Sequence, residues 1–90
     1  MISEKITIVN NTGLHTRPGN ELIKLIKSFP GISVQIEKGE KKINASSLLQ
    51  VMSLGIKKDD VITITVTGVD ESNENQVMNS LKEFFATLKD

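Results

Sequence analysis

Apolar and polar residues alternate strictly in two stretches of the chain. Ile32, Val34 and Ile36 are separated by Ser33, Gln35 and Glu37, and Ile62, Ile64 and Val66 by Thr63, Thr65 and Thr67. A period of two predicts half-buried strands, and threonine suits the watered side of such a strand. Lys5 to Val9, rich in Ile, Thr and Val, predicts another strand, and Lys38-Gly39-Glu40 can turn the chain into a short one at Lys41 to Asn44. One polar face per strand indicates antiparallel pairing, because parallel strands buried on both faces carry continuous apolar runs.

Between the first two strands the period changes. Leu22, Ile23, Ile26 and Phe29 recur at helical spacing until Pro30-Gly31 stops them, which predicts a helix over Thr16 to Phe29. Val77, Leu81, Phe84, Phe85 and Leu88 trace a second apolar stripe behind Asp70, Glu71 and Glu74, whose charges suit a helix N-terminus. A short helix over Ser47 to Ser53, capped by Ser46 or Ser47 and ended by Gly55, completes the order β-α-β-β-α-β-α. One-sided strands and amphipathic helices satisfy each other by stacking. The expected fold is α+β: an open-faced two-layer β-sandwich, a four-stranded antiparallel sheet with three helices on one face. The 90 residues suffice for a single domain, 1–90.

Composition narrows the function. Eleven basic residues balance eleven acidic ones, and the only aromatic residues are three Phe, so neither a positive field nor stacking platforms favour nucleic acid. The absence of cysteine removes disulfides and thiol nucleophiles and fits a reducing compartment. The N-terminus resembles no signal peptide, and no apolar segment reaches bilayer length. A cytoplasmic monomer without membrane insertion, metal or other cofactor is the expectation.

The informative segment is Gly13-Leu14-His15-Thr16-Arg17-Pro18, which contains the single histidine. Pro18 is tolerated in a helix's first turn, so the helix begins at or just after His15. Amides at that terminus favour an anion, and a phosphoryl group is the best biological match. Arg17 opposes the helix dipole and calls for a compensating reason, which pairing with a visiting phosphoryl oxygen supplies. Imidazole attacks phosphorus when neutral, a form that a helix N-terminus and a nearby guanidinium both favour. Once phosphorylated it remains a good leaving group, which suits a carrier more than a stand-alone enzyme. A lone surface histidine is ordinarily a solvated or capping residue; the arginine, the proline and the helix start together raise His15 above that background.

The hexapeptide resembles the active-site motif of HPr, the histidine-containing phosphocarrier family of the bacterial phosphoenolpyruvate-dependent sugar phosphotransferase system. A second block, Ser47-Leu48-Leu49-Gln50-Val51-Met52-Ser53-Leu54-Gly55, resembles the segment around that family's regulatory serine, at nearly the family's separation. The resemblance implies that His15 is phosphorylated at Nδ1 by phosphoenolpyruvate-charged enzyme I and donates to IIA domains of sugar permeases, with Arg17 steadying the group. It implies a partner surface of Leu48, Leu49, Met52 and Leu54 together with Asn20, Ile23, Lys24 and Lys27, and a serine kinase or phosphorylase acting at Ser47. Core packing is the plain alternative for the apolar members, solvation for the lysines and N-capping for Ser47. Ser46, Gln50 and the Gly19-Asn20 pair depart from the residues frequent in the family. The hairpin around Lys38-Gly39-Glu40 is about two residues longer.

Three other readings compete: a carrier in a regulatory branch reporting nitrogen or carbon status, a phosphate-binding or phosphatase module, and a structural interaction domain. The motif supplies no second acid or water-positioning group, which counts against a phosphatase.

Overall fold

A computed structural model of the chain describes residues Met1–Leu88. Its elements are β1 (Ile2–Thr7), α1 (Thr16–Lys27), β2 (Ser33–Lys38), β3 (Lys41–Asn44), α2 (Leu48–Ser53), β4 (Val61–Thr67) and α3 (Glu71–Ala86). The strands form one antiparallel sheet in the order β1-β4-β2-β3.

Register explains the two faces. Ser3, Thr65, Gln35 and Asn44 lie in one row across the sheet, and the next row is Glu4, Ile64, Ile36 and Ile43. Successive side chains point to opposite faces, so the first row meets water and the second meets the helices. The hydroxyls of Ser3 and Thr65 bond at 2.8 Å on the open face. Behind the other face Val34, Ile36, Ile62, Ile64 and Val66 pack with Leu22, Ile26, Val51, Val77, Leu81 and Phe85 in one core. Each aliphatic side chain buried there contributes about 1.5–3 kcal/mol.

The expected fold class and element order are those observed, while some boundaries move. β1 begins at Ile2 instead of Lys5 and ends at Thr7 instead of Val9. Its inward face includes Glu4, which the alternation reads as polar; the carboxylate escapes over the sheet edge to Lys82 of α3 at 2.9 Å. α1 stops at Lys27, two residues short of Phe29. There the Phe29 amide bonds three residues back to the Ile26 carbonyl at 3.1 Å, tightening the last turn.

α3 is closed at its start. Asp70 accepts the Asn73 amide at 2.8 Å, and Glu74, only 4% exposed, accepts the Met1 ammonium at 2.6 Å and the Gly68 amide at 2.9 Å. The ammonium first, and the amide second, hold the Glu74 carboxyl below the usual carboxylate range. At the far end Phe84 and Phe85 meet edge to face, centroids 5.2 Å apart.

Candidate active site

The loop from β1 to α1 is braced along its length. The Ile8 amide bonds to the Asp60 carbonyl at 2.9 Å, the Asp59 amide to the Ile8 carbonyl at 2.8 Å, and the Leu14 amide to the Ile56 carbonyl at 3.2 Å. Gly13 has φ +64°, and a Cβ there would run into the Ile56 carbonyl, so position 13 needs glycine for both conformation and space. The bracing turn is itself pinned: Asp60 accepts the Lys57 amide at 2.7 Å and pairs with the Lys38 ammonium at 2.8 Å. Lys38 first, and the Lys57 amide second, lower the Asp60 carboxyl from its ordinary value.

This frame delivers His15 to the N-cap of α1, half-buried, with extended backbone and no side-chain capping bond. The imidazole is therefore not consumed in closing its own helix. The first intrahelical bond runs from the Gly19 amide to the His15 carbonyl at 2.8 Å. The Thr16 and Arg17 amides stand ahead of that ladder, and Pro18 has none to give. No acidic residue occupies the first turn. Arg17 is exposed and forms no ion pair among the described residues. It borders a cleft of about 240 Å³ with Pro18, Glu21, Phe84, Thr87 and Leu88, on the flank of α1 that faces α3. Chemically this is an imidazole at a helix mouth with a guanidinium in the first turn that is unpaired among the described residues. Among the described residues no group of three His, Cys, Asp or Glu stands close enough to hold a metal.

α2 packs beside the first turn of α1. A Cβ on Gly19 would lie 2.8 Å from Met52 Cε and 2.9 Å from Leu48 Cδ1, which places both side chains next to the helix mouth. Leu49 projects outward at 81% exposure, and Leu48 and Met52 are half-buried. Asn20, Lys24 and Lys27 are exposed along α1, the two lysines in its last turn, where they also complement the dipole. Two expectations need correction. Ile23 and Leu54, placed by the resemblance on the partner surface with core packing as the alternative, are 8% and 4% exposed and belong to the core. Each is an apolar residue whose side depends on how α1 and α2 pack, and packing turns both inward. Ser47 is the N-cap of α2, half-buried, and its hydroxyl makes no capping bond.

Sequence reasoning missed Asn10, which is 7% exposed under the His15 loop. Nothing in Asn10-Asn11-Thr12 distinguishes a buried amide from loop polarity. It also missed the Lys38–Asp60 brace, because Lys57-Lys58-Asp59-Asp60 reads as a solvated charge run and Lys38 is remote in sequence.

A family model described as the PTS HPr component phosphorylation site matches residues 2–87. Phosphocarrier protein HPr of Buchnera aphidicola subsp. Baizongia pistaciae is 36% identical, the match spanning 99% of this chain and 100% of that one. DhaM of Providencia stuartii, the phosphoryl donor subunit of a PEP-dependent dihydroxyacetone kinase, is 33% identical over 84% of this chain and 16% of its own length. Among solved structures, HPr-C-His from Thermoanaerobacter tengcongensis superimposes with a TM-score of 0.79 at 32% identity, covering 98% of this chain and 99% of that one. HPr from Bacillus anthracis superimposes with a TM-score of 0.83 at 27% identity, covering 93% and 95%.

Proposed function

The chain belongs to the HPr family of phosphotransferase-system phosphocarriers, and on that premise we propose that His15 accepts a phosphoryl group from phosphoenolpyruvate-charged enzyme I and passes it to IIA domains of sugar permeases. The observation that carries this is the α1 N-terminus: an N-cap histidine with no capping bond, no acid in the first turn and an Arg17 that forms no ion pair among the described residues. In the first step a ring nitrogen of neutral His15 attacks phosphorus, the new N–P bond forms, and the bond to the enzyme I donor atom breaks. The Thr16 and Arg17 amides and the Arg17 guanidinium would take the negative charge that gathers on the phosphoryl oxygens, so their help grows as charge develops. The second step runs the same displacement outward, with imidazole as leaving group.

Leu48, Leu49 and Met52 supply the apolar part of the docking surface beside that mouth. Asn20, Lys24 and Lys27 supply a polar, cationic border suited to acidic partners. The uncommitted hydroxyl makes Ser47 suitable for a regulatory kinase, since a phosphate there would face the start of α2. No helix among the described residues is long and apolar enough to cross a membrane. From the family reading we place the protein in the cytoplasm, as a monomer.

The test is to incubate the protein with phosphoenolpyruvate and a general bacterial enzyme I and to weigh it intact at neutral pH. One phosphoryl group, lost in acid and absent from His15→Ala, is the expected result. No addition while a known carrier is charged in the same tube would overturn the assignment. A second reading, in which the same carrier serves a regulatory branch or another acceptor outside sugar uptake, draws on the similarity to the DhaM phosphoryl donor subunit. Transfer from the charged protein to purified IIA proteins of different classes separates the two.

A further inference from the structure

Asn10 lies five residues ahead of His15 and is more than nine-tenths buried. Its Nδ2 donates to the Gly13 carbonyl at 2.8 Å, and the Gly13 amide returns a bond to the Asn10 carbonyl at 3.3 Å. The turn is therefore closed twice. Side-chain orientation follows from chemistry, because a carbonyl only accepts and the amide must present its nitrogen to it.

The peptide unit between Gly13 and Leu14 is thus gripped at both ends. Asn10 holds its carbonyl, and the Ile56 carbonyl accepts its N–H at 3.2 Å. Glycine at φ +64° is the residue that would otherwise let this plane rotate. With the plane fixed and the Leu14 side chain 4% exposed, the chain enters His15 from one direction. Asn10 Oδ1 is buried and finds no partner among the described residues, a cost set against the bond that its Nδ2 gives the Gly13 carbonyl.

We propose that Asn10 is a positioning residue for phosphoryl transfer: by locking the Gly13–Leu14 peptide it aims the His15 imidazole over the first-turn amides of α1. The inference rests on the carrier reading above. It acts on the bound geometry, so it affects turnover more than encounter, as restriction of a reacting group generally does.

The experiment measures phosphoryl uptake from charged enzyme I as a function of carrier concentration, giving kcat and KM with this protein as substrate, for wild type, Asn10→Ala and Asn10→Asp. Rates are referred to the folded fraction found by circular dichroism in the same samples. Asp70→Ala, remote from the site, serves as the control for lost stability. For Asn10→Ala we expect kcat about tenfold lower with KM within about twofold of wild type. Asn10→Asp, which sets a carboxylate oxygen against the Gly13 carbonyl, is expected to fall at least as far at neutral pH. Asn10→Ser, keeping one shorter donor, replaces either variant that does not fold and should fall in between. Unchanged kcat in the folded variants, a rise in KM alone, or an equal loss in Asp70→Ala would overturn the proposal. If wild type itself takes no phosphoryl group, the carrier reading fails first and this inference falls with it.

Discussion

The N-termini of the two long helices, α1 and α3, solve the same electrostatic problem in opposite ways. At α3, Asp70 caps, Glu71 and Glu74 fill the first turn, and Glu74 also collects the Met1 ammonium and the Gly68 amide. At α1, His15 stands at the cap without capping, the first turn holds no acid, and Arg17 adds a positive charge where one is unfavourable. Both ends attract an anion; only one contains it in the sequence. On the carrier reading proposed above, the anion that answers the α1 end is the transferred phosphoryl group, which arrives and leaves.

The most severe way to break this contrast is to make α1 resemble α3. Arg17→Glu supplies the missing acid, so helix stability should hold or rise by about 0.3–1 kcal/mol. Phosphoryl uptake at His15 should nevertheless fall about 100-fold or more, since a positive partner becomes a repulsive one. Stability and transfer moving in opposite directions, by thermal melting and by the enzyme I assay, would be the signature. A loss of stability alongside activity would mean that Arg17 serves the fold.

The other end should behave in the reverse manner. Two donors converge on the Glu74 carboxylate, whose folded-state pKa is lowered. A lowered carboxyl contributes stability that is complete above the unfolded value, about 4.3, and that is lost as pH falls through the lower folded value. Urea unfolding followed from neutral to acid pH should therefore show a decline that is shallower in Glu74→Gln, with the variant less stable at neutral pH. Transfer by His15 should not change. Asp70→Ala removes a single capping bond and should be milder, about 1 kcal/mol or roughly 4–8 °C in Tm, again without effect on transfer. A change in transfer from either variant would show that the two ends are coupled.

The contrast also separates what the sequence discloses from what it does not. The sheet was legible because Thr63, Thr65 and Thr67 stand opposite Ile62, Ile64 and Val66 on a strand with one wet face, a purely local pattern. His15 and Arg17 were legible as a helix mouth because Pro18 can occupy only a few positions in a helix. Glu4 obscured the start of β1, since its escape to Lys82 depends on a helix nearly eighty residues away. Ile23 and Leu54 look like Leu49 in sequence, and only the packing of α1 against α2 sends two inward and one out. Asn10 is the extreme case: its role depends on where the Gly13 carbonyl points, which no periodicity encodes.

The smallest expected effect tests whether the open helix mouth is held weakly for a reason. Gly19 sits in the second half of α1's first turn, where alanine would favour the helix by up to about 1 kcal/mol. The added Cβ would press on Met52 Cε and Leu48 Cδ1, both ends of flexible side chains that can swing aside at small cost. Gly19→Ala should therefore raise Tm by only about 1–3 °C. Those displaced ends belong to the apolar surface proposed for docking, so KM for enzyme I should shift while kcat stays at its wild-type value. A fall in Tm would show that Leu48 and Met52 are fixed, and that the surface beside His15 is as rigid as the core beneath it.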